Sequence, residues 1–185
     1  MRVISGTAKG RKLKKVPGDS TRPIMDRVKE SLFNILADDV AGTRWLDLFA
    51  GTGQVGIEAL SRGAAEVVFI DNVRAAIRVI QANLQHTQLN DGASLLMSDA
   101  FAYLDGKPQR PFDIIYVAPP QYKEIWIQVM QKLDGRRADF LASDGIVIVQ
   151  IDPREYKALD LNHLQLYRER KYGNTTLCFY ETISD

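Results

Sequence analysis

The sequence has little cysteine and histidine and no long apolar run. Cys178 is its only cysteine, so no disulfide can form within the chain, and we expect a reducing, cytoplasmic environment. Cys178 lies in the apolar run 177–180, which predicts a core residue rather than a nucleophile. No apolar run approaches the roughly 20 residues of a membrane span, and residues 1–6 lack the apolar core of a signal peptide. A membrane partner is therefore not expected.

The two histidines stand at the ends of predicted elements. His86 closes a helical pattern and has no acid or nucleophile at a useful spacing, and His163 stands at the start of a strand, where a non-catalytic role is favoured. We therefore predict no metal site and no catalytic histidine. With 185 residues, 45% of them hydrophobic and 25% charged, the chain has the size and composition of one ordinary globular domain, and a monomer is the favoured state.

Positive charge is concentrated at the beginning of the chain, although the net charge is only +1. Residues 1–30 contain nine basic and three acidic residues, a net charge of +6, which leaves −5 for the rest. A basic end on an acidic body predicts contact with a polyanion, and the loose alternation over residues 1–17 predicts two short strands that form a hairpin. A charged arm that only contacts solvent is the alternative. The residues predicted to bind RNA or DNA phosphates are Lys9, Arg11, Lys12, Lys14, Lys15, Arg22 and Arg27.

The most informative stretch is residues 45–56 together with Asp71. Residues 45–49 are apolar except for one acid, as in a buried strand of a parallel sheet. A glycine-rich turn follows, then a helical pattern over residues 54–62, and then a second strand over 66–70 that ends at Asp71. This order of strand, glycine turn, helix, strand and acid predicts a nucleoside-binding βαβ unit.

Three acids at predicted strand ends distinguish between ligands for this unit. Asp47 lies in the first strand, Asp71 follows the second, and Asp99 follows a third. Three carboxylates would repel the pyrophosphate of NAD, whereas S-adenosylmethionine has no phosphate and carries a sulfonium, an ammonium, a ribose diol and an adenine amine. We therefore predict S-adenosylmethionine as the ligand. An NAD-dependent oxidoreductase and three unrelated acids are the alternatives.

The rest of the chain alternates helical and strand patterns. An amphipathic helix over 26–40 precedes the βαβ unit. The elements predicted after it are a helix over 72–86, strands over 93–97, 112–117 and 145–151, helices over 123–132 and 136–142, and strands over 164–172 and 175–182. The last two strands are joined at Gly173-Asn174, which predicts an antiparallel pair that closes the sheet.

Residues 118–122, Ala-Pro-Pro-Gln-Tyr, follow the predicted fourth strand directly. Two prolines make a rigid, extended turn without backbone donors, so the preceding carbonyls are left free to accept from a ligand. The turn lies at the carboxyl edge of the sheet, where open α/β folds bind ligands. A proline loop that only ends the strand is the alternative.

Four segments carry a resemblance to a known family. They are residues 1–15 (with Arg-Val-Ile-Ser-Gly), 21–36 (with Asp-Arg-Val-Lys-Glu-Ser-Leu-Phe-Asn-Ile-Leu), 46–63 (with Leu-Asp-Leu-Phe-Ala-Gly-Thr-Gly) and 171–181 (with Lys-Tyr-Gly-Asn-Thr-Thr). The glycine segment alone indicates a class I methyltransferase. In combination, the segments are similar to the RsmD family of 16S ribosomal RNA guanine-N2 methyltransferases, over nearly the whole chain.

The resemblance implies an α/β fold of the Rossmann-like class I methyltransferase type. This fold has a seven-stranded mixed sheet with helices on both faces and, in this family, an N-terminal β-hairpin extension that faces RNA. We expect one methyltransferase domain over 1–185. Its expected parts are a basic hairpin or arm at 1–20, an N-terminal helix at 21–42 and the catalytic sheet core at 43–185.

The resemblance also implies two groups of site residues. Asp47 and the glycines would cradle the methionine end of the cofactor, Asp71 would take the ribose hydroxyls and Asp99 the adenine amine. The expected cofactor-binding residues are Asp47, Phe49, Ala50, Gly51, Gly53, Gly56, Asp71, Asn72, Asp99 and Ala100. The expected catalytic residues are Ala118, Pro119, Pro120, Gln121 and Tyr122.

The catalytic turn departs from the family's usual Asp-Pro-Pro-Tyr or Asp-Pro-Pro-Phe. Ala118 stands at the acid position, Gln121 at the aromatic position, and Tyr122 comes one residue late. In the family, the Asp side chain and a backbone carbonyl hold the two N–H groups of the guanine amine, and the aromatic ring stacks on the flipped base. The carbonyls of Ala118 and Pro119, the amide of Gln121 and the ring of Tyr122 are left for these tasks.

The first hypothesis is therefore an S-adenosylmethionine-dependent RNA methyltransferase. Its expected target is a guanine N2 of 16S ribosomal RNA, in rRNA processing, with the small ribosomal subunit as its partner. The second hypothesis is a cofactor- and RNA-binding protein that has lost methyl transfer because Ala118 replaces the acid. The NAD-dependent oxidoreductase is the third.

Overall fold

The computed structural model describes residues 1–18 and 23–184. Arg22, one of the predicted RNA-binding residues, lies outside this part of the chain. The chain divides into two compact units, Met1–Ala100 and Phe101–Asp185. None of the helices among the described residues combines the length and the apolar character needed to span a bilayer.

Seven strands form one mixed sheet, as predicted. They are β1 (Arg44–Leu48), β2 (Glu66–Asp71), β3 (Ala93–Met97), β4 (Phe112–Val117), β5 (Leu141–Ile151), β6 (Leu164–Tyr172) and β7 (Thr175–Thr182). Their order in the sheet is β3-β2-β1-β4-β5-β7-β6. The helices are α1 (Asp26–Leu36), α2 (Gln54–Ser61), α3 (Arg74–Thr87), α4 (Ala100–Asp105), α5 (Ile125–Gly135) and α6 (Arg137–Phe140), with 3-10 helices at Ala37–Val40 and Pro153–Glu155.

Three parallel strands, β1 to β3, form the centre of the first unit. The apolar runs of β1 and β2 are buried almost throughout, which explains why they read as continuous apolar segments. Every residue of α2 is buried as well. This close fit depends on Gly56, where an added Cβ would lie 2.3 Å from the ring of Phe69 on β2. The predicted strand, glycine turn, helix and strand are therefore confirmed.

The N-terminal segment, residues 1–16, contains the predicted hairpin in a short form. Arg2 and Lys12 form an antiparallel bridge, Val3 N donates to the carbonyl of Arg11 at 3.0 Å, and Leu13 N donates to the carbonyl of Met1 at 3.2 Å. Ile4 N and Ser5 N donate instead to the carboxylate of Glu58 at 2.8 and 3.0 Å. The segment is thereby attached to α2 as well as paired with itself.

The second unit contains a parallel pair, β4 and β5, and an antiparallel part in which β7 lies between β5 and β6. The bounds of β4, β6 and β7 are those predicted. β5 begins four residues earlier than the predicted start at 145, because the exposed polar residues 143 and 144 interrupt its apolar pattern. Helix α4 was not predicted, since six residues are too few to show a helical period.

Cys178 lies fully buried on β7. Burial raises the pKa of its thiol to about 12, so the thiolate is absent at neutral pH. The predicted core role of this residue is confirmed.

Candidate functional site

The glycine turn after β1 opens beside the ends of β1 and β2. Phe49, Gly51 and Gly53 have φ angles of 63°, 57° and 76°, in the left-handed region. Gly53 is difficult to replace for two reasons. Residues with a Cβ rarely adopt its left-handed φ, and an added Cβ would lie 3.1 Å from the side chain of Ile80. Nothing lies within 4 Å of the position of a Cβ at Gly51. The space beside Gly51 is therefore open to a ligand.

Asp71, at the end of β2, fixes the shape of this turn. Its Oδ2 accepts from Gly51 N at 2.8 Å, and its Oδ1 accepts from Val73 N at 2.9 Å. An ionised carboxylate has about four acceptor positions. Asp71 therefore keeps about two of them after it has bound the backbone, and it presents them beside the open space at Gly51.

Asp47 is a deeply buried acid of the first unit, with only 1% of its surface exposed. Burial raises its pKa to about 7; the hydrogen bond that its Oδ2 accepts from Gly56 N opposes this shift, and the negative charge of Asp71 adds to it. Near neutral pH the carboxyl group is therefore partly protonated. A cation bound beside it would favour the ionised form.

The other predicted cofactor residues lie in the same region of the first unit. Ala50 N donates to the carbonyl of Ile70 at 2.9 Å, and Ser98 N donates to the carbonyl of Asp71 at 3.1 Å. These two bonds bring the turn and the segment after β3 beside the end of β2. The residues that share this edge are Asp47, Phe49, Ala50, Gly51, Gly53, Asp71, Asn72, Asp99 and Ala100. Gly56 lies one helical turn further along the chain, in α2, where it packs against β2.

Asn83 on α3 supports the turn from behind, and sequence reasoning missed it. Its amide nitrogen donates to the carbonyls of Thr52 and Lys14 at 3.0 and 3.1 Å, and its Oδ1 accepts from Lys14 N at 2.7 Å. One buried amide therefore holds both the glycine turn and the basic N-terminal segment. The signal for it was a polar residue within the apolar stripe of a helix, between Ile80 and Leu84.

The basic N-terminal segment is fixed to the protein, not free in solvent. The fully buried Lys29 donates from Nζ to the carbonyl of Arg2 at 2.6 Å and lies 3.6 Å from the fully buried carboxylate of Glu58. The same carboxylate binds the backbone of Ile4 and Ser5. A buried cation and a buried acid thus hold the backbone of the segment, which leaves its lysine side chains to face outward.

The predicted RNA-binding residues are not equivalent in the structure. The side chains of Lys9, Lys12, Lys14, Lys15 and Arg27 are exposed. Arg11 instead donates to the carbonyl of His86 at 2.5 Å and to Gln88 Oε1 at 3.2 Å, so the protein itself uses its guanidinium group. A cleft of about 480 Å³ on this surface is lined by Arg2, Val3, Ile4, Lys9, Gly10, Asp26, Arg27 and Glu30.

In the second unit, the turn after β4 ends in an exposed but tethered aromatic residue. Tyr122 has 57% of its surface exposed and a φ of 61°. Its backbone N–H donates to Glu155 Oε1 at 2.5 Å, and its hydroxyl donates to Asp152 Oδ2 at 2.5 Å. Pro120 is exposed, and the other residues of the turn, Ala118, Pro119 and Gln121, are half-buried.

The residues that hold Tyr122 lie in the 3-10 helix after β5 or directly before it. They are Asp152, Arg154 and Glu155, and sequence reasoning missed all three. Asp152, with 1% of its surface exposed, accepts from Arg154 N, Nε and Nη2 at 2.9, 3.1 and 2.9 Å and from the Tyr122 hydroxyl. The Arg154 guanidinium, followed by the Tyr122 hydroxyl, holds the pKa of Asp152 well below its usual range. The signal was a run of acid, proline, base and acid at the carboxyl end of a strand. No cluster of side chains suited to a metal ion occurs in the part of the chain that the structure describes.

Comparison with known proteins shows which family the chain belongs to. A family model described as "Conserved hypothetical protein 95" matches residues 1–181. "Putative rRNA methyltransferase YlbH" of Bacillus subtilis is 39% identical over 183 residues, which are 98% of each chain. "Ribosomal RNA small subunit methyltransferase D" of Escherichia coli is 31% identical over 181 residues, which are 98% of this chain and 89% of that protein.

Solved structures give the same result for the fold. "Putative methyltransferase yhhF from Escherichia coli" has a TM-score of 0.85 and 31% identity, and the match covers 98% of this chain and 97% of that one. The class I methyltransferase fold expected from the sequence is thereby confirmed. Together with the family model and the relatives, these matches show that the chain belongs to the RsmD family of methyltransferases, as its sequence motifs indicated.

Proposed function

We propose that this chain transfers a methyl group from S-adenosylmethionine to the N2 atom of a guanine in small-subunit ribosomal RNA. The observation that carries this proposal is the carboxylate of Asp71, which is fixed by two backbone donors and still has acceptor positions beside the open glycine turn. Membership of a methyltransferase family supports the transfer. A relative named as a small-subunit rRNA methyltransferase supports the substrate.

The residues of the first unit fit the hydrogen-bonding groups of S-adenosylmethionine. We assign the ribose hydroxyls to Asp71, the ammonium of the methionine end to Asp47 and the adenine amine to Asp99. The other residues assigned to the cofactor are Phe49, Ala50, Gly51, Gly53, Gly56, Asn72 and Ala100. These carboxylates would oppose a pyrophosphate, which argues against an NAD-dependent oxidoreductase.

The residues of the turn after β4 are assigned to the base. S-adenosylmethionine, when bound, supplies a methyl group on a sulfonium and leaves as a neutral thioether. Ala118 and Pro119 keep backbone carbonyls that can accept from the exocyclic amine, because neither proline of the turn has an N–H group. Pro120 and Gln121 shape the turn, and the ring of Tyr122 stacks on the base. Holding the reacting atoms in line can lower the barrier by ~7–11 kcal/mol, and the methylated nitrogen then releases one proton to the surrounding water.

The basic N-terminal segment is assigned to the RNA backbone. Its lysines are exposed while its backbone is held by Glu58 and Asn83, so the charges are presented at fixed positions. Phosphate contacts of this kind supply affinity and orientation without reading the sequence. A ribosomal substrate also implies a cytoplasmic location.

One observation favours a second candidate function, a protein that binds cofactor and RNA without transferring the methyl group. The methyl side chain of Ala118 cannot accept a hydrogen bond from the substrate amine. If the remaining acceptors of the turn were insufficient, binding would persist and transfer would be lost.

The proposed function predicts methyl incorporation into small-subunit RNA. The purified protein should transfer about one labelled methyl group per small subunit taken from cells that lack this chain, and the product should be N2-methylguanosine by mass spectrometry. Bound cofactor with no incorporation would contradict the proposal. In that case, Ala118→Asp should create activity if the chain is the binding protein described above.

The raised pKa of Asp47 predicts that cofactor affinity depends on pH. Because a cation prefers the ionised carboxylate, binding should weaken by about tenfold from pH 8 to pH 6, through the pKa of about 7. Titration calorimetry of the wild type and Asp47→Asn at each pH checks this prediction. The titration of the cofactor's own amine is common to both proteins and cancels in the ratio of their affinities. A ratio that does not change with pH would contradict the assignment of Asp47.

The basic segment predicts a strong salt dependence of RNA binding. Replacing Lys12, Lys14 and Lys15 with Ala should weaken binding and reduce the slope of log affinity against log salt by about 0.7–0.9 for each lost phosphate contact. The matched control replaces Lys107, Lys132 and Lys171 with Ala, which removes the same charge elsewhere. Equal slopes for the two triple variants would show that these lysines only contact solvent.

A further inference from the structure

Tyr122 is exposed, yet three neighbouring residues hold it in place. Its hydroxyl donates to Asp152 and accepts from Arg154, and its backbone N–H donates to Glu155. The guanidinium carbon of Arg154 lies 5.3 Å from the centre of the ring. More than half of the residue nevertheless remains exposed, at 57%. The structure therefore fixes the orientation of a ring that is open to a ligand.

The backbone at this turn is strained. Tyr122 and Glu124 have φ angles of 61° and 54°, in the left-handed region that side chains with a Cβ rarely adopt. Such conformations persist where the surroundings determine them, and they concentrate at functional sites. Here the surroundings are the three residues that tether Tyr122.

Asp152 has no acceptor position left for a ligand. Its two oxygens accept from three nitrogens of Arg154 and from the Tyr122 hydroxyl, which uses about four positions. The carboxylate is also buried, with 1% exposed. Its contacts thus act on Tyr122 and Arg154, not on a substrate.

We propose that Asp152 and Arg154 are positioning residues that hold the ring of Tyr122 as the surface on which the flipped purine stacks. This inference rests on the proposed function, because it takes a base in RNA as the ligand. Base stacking on an aromatic ring is strong only when the two planes align, so a ring fixed in advance binds better than a mobile one. Tyr122 thereby acts as the stacking residue although it comes one position late in the turn.

The test uses a single-stranded RNA oligonucleotide with one 2-aminopurine, whose fluorescence is quenched when the base stacks on a ring. This base carries an amine at the same ring position as guanine. With S-adenosylhomocysteine present, the wild type should quench the probe. Tyr122→Ala should abolish the quenching and weaken binding by about 5- to 150-fold. Tyr122→Phe keeps the ring but loses the hydroxyl, so it should quench less than the wild type.

A double-variant comparison separates positioning from a general structural role. Asp152→Ala should reduce quenching as Tyr122→Phe does, and the double variant should differ little from either one, because both changes remove the same hydrogen bond. S-adenosylhomocysteine affinity should stay unchanged in Tyr122→Phe. Tyr167→Phe, at another exposed tyrosine on β6, is the matched control and should behave as the wild type.

Wild-type quenching in Tyr122→Ala would overturn the inference, and so would wild-type quenching in Tyr122→Phe. Tyr122→Phe keeps the test valid if Asp152→Ala does not fold. Methyl transfer by the wild type is measured in parallel. Its absence would contradict the proposed function, whereas the fluorescence decides the role of the ring by itself.

A second inference rests on a different atom, the second carboxylate oxygen of Glu155. Oε1 accepts from Tyr122 N at 2.5 Å. Oε2 is removed from solvent and has no hydrogen-bond partner among the described residues. A buried carboxylate oxygen without a donor is unfavourable, so this atom gains a partner when the side chain turns toward a donor that arrives with a ligand.

The geometry points to Glu155 as the carboxylate that accepts from the exocyclic amine of the substrate base. An amine that attacks a methyl group has two N–H bonds that need acceptors, and the side chain of Ala118 offers none. A backbone carbonyl of the turn can take one of them, and Glu155 takes the other. This inference also rests on the proposed function.

The test compares two RNA oligonucleotides that differ only in one base, 2-aminopurine or unsubstituted purine. Their affinity ratio isolates the contribution of the amine. The wild type should prefer 2-aminopurine by about 10- to 150-fold, as expected for a hydrogen bond to a charged group. Glu155→Gln keeps an oxygen for Tyr122 N and loses the charge, so it should lose most of this preference.

Glu124→Gln is the matched control, because Glu124 is an exposed acid of the same turn that pairs with Lys157. It should keep the wild-type preference for 2-aminopurine. A preference that survives in Glu155→Gln, or that is absent from the wild type, would overturn the role of Glu155. Methyl transfer by the wild type again tests the proposed function separately.

Discussion

Asp71 accepts from Gly51 N at 2.8 Å and from Val73 N at 2.9 Å, so a single carboxylate joins the turn after β1 to the residue that precedes α3. The turn can follow this path because its glycines adopt left-handed φ angles, and the space beside Gly51 stays open. The carboxylate that shapes the turn is also the one assigned to the cofactor ribose. In the proposed function, the charge that shapes the turn would also select the ligand, because it would favour a cationic methyl donor over a phosphate-bearing coenzyme.

The basic segment depends on the same helices as the glycine turn. Asn83 on α3 binds the carbonyls of Thr52 and Lys14, and Glu58 on α2 binds the backbone of Ile4 and Ser5. These polar contacts are buried or partly buried, and each is costly to break because an unpaired polar group would remain. The exposed lysines of the basic segment and the glycine turn are therefore built on one support within the first unit.

The sequence could predict what short-range patterns encode. Apolar runs gave the strands, and the rule that parallel strands end at one edge placed Asp47, Asp71 and Asp99 together. Contacts between residues distant in the chain leave no local pattern. The pairing within the N-terminal segment was predicted, but its attachment to Glu58, about fifty residues away, was not. In the same way, local sequence could not predict the hydrogen bond between Tyr122 and Asp152, which are thirty residues apart in the chain.

The most direct measurement of the central claim is the affinity of S-adenosylhomocysteine for the wild type and for Asp71→Ala, by titration calorimetry, with NADH as the competing ligand. Loss of two hydrogen bonds between ribose and a charged group should weaken S-adenosylhomocysteine binding by about 100-fold, and NADH should give no heat of binding. Equal affinity in the two proteins, or binding of NADH by the wild type, would contradict the selection of the methyl donor by these carboxylates.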